Sequence, residues 1–491
     1  MKSTLSSLQL PDSRIAILEH ITDGHYENGR GLVCDGLPPL WRVQIHTESE
    51  PGAFTRTEIW LPEQWNGILL TTGNGGMAGN LGDGWLDHYV RQDYAVVTSD
   101  LGTSRGRDSG IHNPGVWRDF GWRATHLMAV LGKAVVEAAY GKPAAYTYYL
   151  GASTGGQQAF SAAQRFPLDY NGIVAGVPAQ NRVFLHTYFL WVHTHLRDKE
   201  SGPLFSEADA ERLADCAADF FQAKGDGQPG DRFVSFPYVG ETTVTEFIAY
   251  LKAVCPDYTQ KQLDALEAVY RGPVNPQTGA QIYNGLPIGS EPFALFRSAQ
   301  EAENSQFYPF VWAFGKEFDP YAFRFADDLE ELSRILSPDL NANDPDLRAF
   351  RDAGGKLIAS SGSSDPLVPY PDAMKYYNRV CAEMGGFGQV KDFFRYFLIP
   401  GKDHNFGGRG ANLAGEHEYD RMLGLIRRWV EQGIAPDTLP ASRYADPRDL
   451  STLIFERTLY PYAADKVEGR DFPRACDEQY VSGGKSLCSS Q

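Results

Sequence analysis

Tyr146-Thr-Tyr-Tyr-Leu150, then Gly151-Ala-Ser-Thr-Gly155, then Gly156-Gln-Gln-Ala-Phe-Ser-Ala-Ala-Gln-Arg-Phe166: this is the segment that decides how the chain is built. Its first five residues read as a short strand and its last eleven as a helix. Between them stands G-x-S-x-G, a pattern that puts a serine on a sharp strand-to-helix turn. Only small neighbours let the backbone bend there and leave the hydroxyl exposed. In a chain with 50 glycines the pattern alone is weak, and a second copy occurs at Gly102-Thr-Ser104-Arg-Gly106. That copy runs into Arg107-Asp-Ser-Gly-Ile-His-Asn-Pro114, which glycine and proline break too often for a helix to begin. The candidate nucleophile is therefore Ser153, and Ser104 reads as a polar loop residue.

Outward from the serine, strand and helix patterns alternate. Thr57–Leu61 and Gly67–Thr72 read as strands, the latter ending in Gly73-Asn-Gly-Gly-Met-Ala-Gly79. Tyr94–Thr98 is a further strand. Leu127, Leu131, Ala134, Val135 and Ala138 recur at helical spacing before the stop Gly141-Lys-Pro143, and Ile173–Val177 is another buried strand. Such alternation implies a mostly parallel sheet covered on both faces by helices. It fails after Pro178, where the chain turns to aromatics, prolines and polar loops, and returns with Lys356–Ser360, Phe393–Ile399 and the amphipathic stretch Glu416–Glu431. The expected architecture is an α/β-hydrolase core in two pieces, 1–178 and 346–491, with a large inserted lid domain over 179–345.

A serine hydroxyl needs an imidazole base at neutral pH, and the base needs a carboxylate to hold its tautomer. In this fold class the order along the chain is Ser, then Asp or Glu, then His. Only His404 and His417 follow the insertion. His417 starts the last amphipathic helix away from its apolar face, whereas His404 lies in the loop Pro400-Gly-Lys-Asp-His-Asn-Phe-Gly-Gly408 straight after a strand. Asp365, in Ser361-Gly-Ser-Ser-Asp-Pro-Leu-Val-Pro369, follows a strand at the carboxyl edge, where sites on α/β sheets collect. Asp352 and Asp392 precede their strands, and Asp403 is too near His404 in sequence to orient it. The triad is thus Ser153, Asp365 and His404. For the oxyanion, the backbone N–H of Thr154 and one from the glycine-rich loop, at Gly76, are the expected donors.

The bulk composition sets limits on partners. With 45 basic against 62 acidic side chains the formal charge is -17, which disfavours nucleic acid and anionic membranes. No stretch is long and apolar enough to span a bilayer, and the first residues lack the apolar run of a secretory leader, so the chain as it stands reads as cytoplasmic unless a leader has been removed. The six cysteines, Cys34, Cys216, Cys255, Cys381, Cys476 and Cys488, are scattered, with no zinc-like cluster, and read as thiols. No cofactor is required by the chemistry.

With those residues in place, the chain from about Leu8 to Cys476 resembles the tannase and feruloyl esterase family. The matching motifs include Phe120-Gly-Trp-Arg-Ala-Thr-His-Leu127, Gly151-Ala-Ser-Thr-Gly-Gly156, Asn171-Gly-Ile-Val-Ala-Gly-Val-Pro-Ala179, Ser364-Asp-Pro-Leu-Val-Pro369 and Phe394-Arg-Tyr-Phe-Leu-Ile-Pro-Gly401. The resemblance implies the same nucleophile, acid and base, an inserted lid, and cleavage of hydroxycinnamic or gallic esters, with some relatives taking a terephthalate monoester. It also marks departures. The family's cysteines beside the catalytic serine and histidine are replaced by Ala152 and Asn405, an N-terminal pair by Leu5 and Trp41, and half of a C-terminal pair by Tyr460. Losses in pairs fit a reducing compartment. The family's calcium loop is matched only by Lys224-Gly-Asp-Gly-Gln-Pro-Gly-Asp231, which keeps Asp226 and Asp231 at altered spacing.

The reading is a serine carboxylic ester hydrolase acting on a small aromatic ester through an acyl-enzyme. Two alternatives use the same residues: acyl transfer to an alcohol or amine, and a catalytically lapsed protein that binds aromatic ligands in the lid pocket. Oligomeric state and the residues that set specificity are not legible in the sequence.

Overall fold

A computed structural model describes residues 2–29, 31–235, 241–292, 296, 305–404, 407–463 and the backbone of 481–482 and 485–486. Its centre is a nine-stranded sheet: β1 Ser13–Ile21, β2 Leu40–Glu50, β3 Ala53–Pro62, β4 Ile68–Thr72, β5 Ala95–Ser99, β6 Tyr146–Ala152, β7 Gly172–Gly176, β8 Lys356–Gly362 and β9 Phe394–Ile399. The spatial order is β1-β2-β3-β5-β4-β6-β7-β8-β9. The first three strands form an antiparallel meander and β3 pairs antiparallel with β5, while every later pairing is parallel. The parallel strands are buried end to end, as β4 (Ile-Leu-Leu-Thr-Thr) and β5 (Ala-Val-Val-Thr-Ser) show. Burial on both faces requires helices on both faces. Helices Ala124–Tyr140 and Thr154–Arg165 cover one face. Helices Asp83–Val90 and Gly415–Gln432 meet on the other, where the Trp85 ring lies 4.8 Å from Tyr419 and His88 Nε2 is 2.9 Å from Asp420.

Two strands of this sheet and one helix beside it went unread in the sequence. Strands β1 and β2 are half-buried and carry charged residues on their open face, so they lack the apolar run of the central strands. Helix Asp83–Val90 is only two turns long.

Between β7 and β8 the sequence pattern suggests irregular chain, but the structure holds helices Arg182–Leu196, Glu207–Gln222, Glu241–Val254, Gln260–Arg271, Tyr308–Phe314 and Asp327–Leu340. The first is buried nearly all round, which removes the polar face that would have betrayed its period. Two others open on capping boxes, Ser206 with Asp209 and Thr259 with Gln262, signals that the sequence did contain. Buried side chains from 179–296 form one apolar cluster. A second joins Phe310, Trp312 and Leu336 to Ala53, Val116 and Phe120 of the sheet region. The two chain crossings lie side by side: Ala342 N–H donates to Gln180 O at 2.8 Å, and Val183 N–H to Asn341 Oδ1 at 3.0 Å. By Ala342 the chain is packed in the sheet's own core.

Trp312 is the pivot of the second cluster, fully buried, with Nε1–H on Arg107 O at 2.7 Å and its ring edge-on to Phe120. Trp312→Ala is expected to cost about 3–5 kcal/mol of stability, read as a lower midpoint of denaturant unfolding.

Candidate active site

Strands β4, β6, β8 and β9 run parallel, so Thr72, Ala152, Gly362 and Ile399 end at one edge of the sheet, and the loops that follow them share that edge. Ser153 is the first residue beyond β6. Its backbone has φ 59° and ψ −116°, a left-handed turn that costs a non-glycine residue about 1–3 kcal/mol. The turn is held by Ser153 N–H on Gly176 O at 3.0 Å and by helix Thr154–Arg165, which starts at the next residue. The bend also brings backbone onto backbone. A side chain on Gly73 would place its Cβ 2.6 Å from Gly155 Cα, so the loop after β4 and the first turn of the helix touch directly. Gly155 N–H donates to Asn74 O at 2.7 Å, and Asn74 N–H to Gln158 Oε1 at 2.9 Å.

Asp365 and His404 meet across the loops after β8 and β9. Asp365 is fully buried, and its Oδ2 accepts from His404 Nδ1–H at 2.7 Å. Its Oδ1 accepts the N–H groups of Leu367 and Val368 at 2.8 and 2.9 Å. Three donors on one buried carboxylate fix its orientation, and a proton on Nδ1 makes Nε2 the acceptor nitrogen of the ring. The two loops are also pinned to each other: Gly401 N–H donates to Ser363 Oγ at 2.8 Å and Ser364 N–H to Lys402 O at 3.0 Å. Lys402 is buried and pairs with Glu418, tying the loop after β9 to helix Gly415–Gln432.

Ser153 and His404 line one cavity of about 350 Å³ together with Asn74, Gly75 and Gly76. Thr154 opens the helix behind the serine, and its hydroxyl donates to Gly76 O at 2.6 Å, so the two expected oxyanion donors belong to residues joined by a hydrogen bond. The rest of the wall is largely apolar and aromatic: Trp85 and Tyr89 from one helix, Leu185 and Phe189 from another, and Leu367, Val368 and Tyr419. Arg182 and Gln306 add polar groups. These wall residues were beyond sequence reading because they come from five separate segments. One local signal was present in the i, i+4 pair Trp85 and Tyr89, whose rings lie 6.1 Å apart.

The remaining candidates fall elsewhere. Ser104 is exposed in a turn, and Asp352 and Asp392 are exposed beyond the far edge of the sheet. His417 is exposed and lines a different hollow with Asn28 and Arg448. Asp403 is buried, with its N–H on Gly407 O. Where the family resemblance implies cysteines, Ala152 is buried at the end of β6 and Asn405 lies outside the described residues. Leu5 is fully buried in the sheet's core and Trp41 packs on the same cluster, stacking on His20 with centroids 4.4 Å apart, while Tyr460 is exposed. Cys34, Cys216 and Cys255 are thiols, with 3.7 Å between the last two sulfurs, and burial pushes Cys34 up to about 11. Cys476 and Cys488 lie outside the described residues.

The acids of the suspected calcium loop are committed to protein donors. Asp231 takes both Nη groups of Arg457, at 2.6 and 2.8 Å, and Asp226 accepts Ser235 N–H at 2.7 Å. A guanidinium in the carboxylate fork stands where a cation would need an anionic oxygen, so this loop does not fit calcium. Among the described residues no group of three or more His, Cys, Asp or Glu is placed to hold a metal.

Known proteins share this architecture and sequence. Feruloyl esterase B from Aspergillus oryzae superposes with a TM-score of 0.81 at 22% identity, covering 94% of this chain and 95% of that one. The tannin acyl hydrolase of Aspergillus niger gives 0.71 at 19%, covering 94% and 92%. In sequence, an uncharacterized esterase of Xanthomonas campestris is 30% identical over 94% of this chain and 87% of its own length. Feruloyl esterase B of Aspergillus niger is 30% identical over 82% and 80%. Residues 42–470 match the family described as tannase and feruloyl esterase. The chain belongs to the tannase and feruloyl esterase family.

Proposed function

We propose that this protein hydrolyses esters of aromatic carboxylic acids, of the feruloyl, hydroxycinnamoyl or galloyl kind, with Ser153 as nucleophile, His404 as general base and Asp365 as its orienting acid. The observation that carries this reading is the buried Asp365–His404 pair opening into the same aromatic-walled cavity as a serine held on a strained elbow. Ser153 Oγ attacks the ester carbonyl while His404 Nε2 takes its proton. The tetrahedral oxyanion is held by the N–H groups of Thr154 and Gly76, and collapse expels the alcohol, protonated by His404. Water activated by the same imidazole then releases the acid and restores Ser153.

The wall from Trp85, Tyr89, Phe189 and Tyr419 suits a flat aromatic acyl group. Residues 179–345 act in this reading as a lid that supplies Leu185, Phe189 and Gln306 to the cavity. The thiols of Cys34, Cys216 and Cys255 suit a reducing, cytoplasmic setting.

Steady-state kinetics on methyl ferulate, methyl gallate, a monoester of an aromatic dicarboxylic acid and a short-chain nitrophenyl ester test the reading. One of the aromatic esters is expected to be preferred, with Ser153→Ala and Asp365→Asn each lowering kcat by about 10⁴-fold or more. A Ser153→Ala enzyme that keeps wild-type turnover would sink the assignment. Since no disulfide spans Ala152 and Asn405, and Asp231 is held by Arg457, activity is expected to survive both millimolar dithiothreitol and a chelator such as EDTA. Rapid inactivation by either reagent contradicts the corresponding half of that expectation.

A further inference from the structure

Arg182 opens helix Arg182–Leu196, is 3% exposed, and has no carboxylate within ion-pair distance among the described residues. Its partners are neutral. Nε donates to Gln157 Oε1 at 2.8 Å, and Nη2 donates to the same oxygen and to Thr154 Oγ1 at 2.9 Å. Nη1 stands 3.5 Å from His186 Nε2, and the guanidinium lies 5.5 Å from the centre of the Phe120 ring. His186 presents a lone pair to the cation, because its Nδ1–H is spent on Gln306 O at 2.5 Å. Burial, and then the neighbouring guanidinium, hold this imidazole well below its ordinary pKa, so it adds no second charge. A cation taken out of water without a counter-ion is costly, and such a group persists where the surrounding structure over-determines it.

The position of the charge gives it a use. Thr154 Oγ1 accepts from Arg182 and donates to Gly76 O, so one hydroxyl links the guanidinium to the glycine loop. Thr154 and Gly76 are the two residues whose N–H groups hold the oxyanion in the proposed mechanism. We propose that Arg182 is the positioning residue of the oxyanion hole: through the Thr154 hydroxyl it fixes the spacing of the two donors, and its uncompensated charge favours the tetrahedral oxyanion over the neutral ester. Gln157 is the second anchor. It holds the guanidinium with Oε1 and donates through Nε2 to Leu340 O at 2.7 Å, at the chain's return from the lid segment. The inference rests on the triad reading above and deepens it.

The test uses Arg182→Met, Arg182→Lys, Thr154→Val and Thr154→Ser in the full chain. Arg182→Met and Thr154→Val are each expected to lower kcat by about 10²-fold with KM within about twofold, the size of effect that follows loss of one preorganised donor. The Met variant's affinity for an aryl boronic acid, which becomes tetrahedral on Ser153, is expected to fall by the same factor, while its affinity for the aromatic acid product stays put. Arg182→Lys and Thr154→Ser are expected to recover part and most of kcat. The double variant Arg182→Met, Thr154→Val should be no worse than either single one, because both cut the same link. A Met variant with wild-type kcat but a lower melting temperature would reduce Arg182 to a packing role. One with raised KM and unchanged kcat would make it a substrate-binding group. Either result overturns the proposal while leaving the triad intact, whereas an active Ser153→Ala would undo the mechanism beneath it.

Discussion

The close approach of Gly73 to Gly155 is the contact on which the site depends. With a side chain at Gly73 the Cβ would stand 2.6 Å from Gly155 Cα, so the β4 loop could not lie against the helix that follows the serine. That contact lets Gly155 N–H reach Asn74 O and Thr154 Oγ reach Gly76 O. It also braces the left-handed backbone of Ser153, whose strain must be offset by neighbours that leave it no alternative. Parallel strands ending in register bring Asp365 and His404 to the same edge, and two hydrogen bonds between their loops keep the pair aligned. Preorganisation of this kind is what allows donors to act on developing charge without a reorganisation cost at the moment of reaction.

The segment between β7 and β8 is joined to the core by buried polar contacts as well as by apolar packing. Gln157, Gln164, Gln180 and Asn181 reach Leu340 O, Ala342 O and the Asp372 carboxylate, so the chain's exit and return are held beside helix Thr154–Arg165. Amide N–H groups paired in this way favour a single arrangement, since displacement leaves these donors without acceptors. The same arrangement delivers Arg182 to Thr154 and Phe189 to the cavity. Part of the cavity wall and the guanidinium bonded to Thr154 therefore share one helix, Arg182–Leu196.

Positions where the family resemblance implies covalent or metal staples are served here by packing and ion pairing. Leu5 is buried in the sheet's core and Trp41 packs on the same cluster, and Arg457, on a strand Leu453–Leu459 that pairs antiparallel with Leu439–Tyr444, bridges to Asp231. A chain of this length can hold itself together through burial, which lessens its need for cross-links.

The parallel sheet and the loops that carry Ser153, Asp365 and His404 were legible because each rests on local pattern: a strand before Gly151, a helix after it, and loops with Asp365 and His404 after later strands. The glycine loop was legible for the same reason. The helices of the middle third were not, because Arg182–Leu196 is buried nearly all round and lacks the amphipathic period that sequence reading detects. Nor could local pattern find Arg182, an arginine in an apolar run whose meaning depends on Thr154, Gln157 and His186 standing around it. The sequence by itself determined the fold class and singled out Ser153, Asp365 and His404, since the alternation of strand, turn and helix follows from short-range periodicity. Only the tertiary structure decided the wall of the cavity and the cation behind Thr154, since those arise from contacts between segments far apart in the chain.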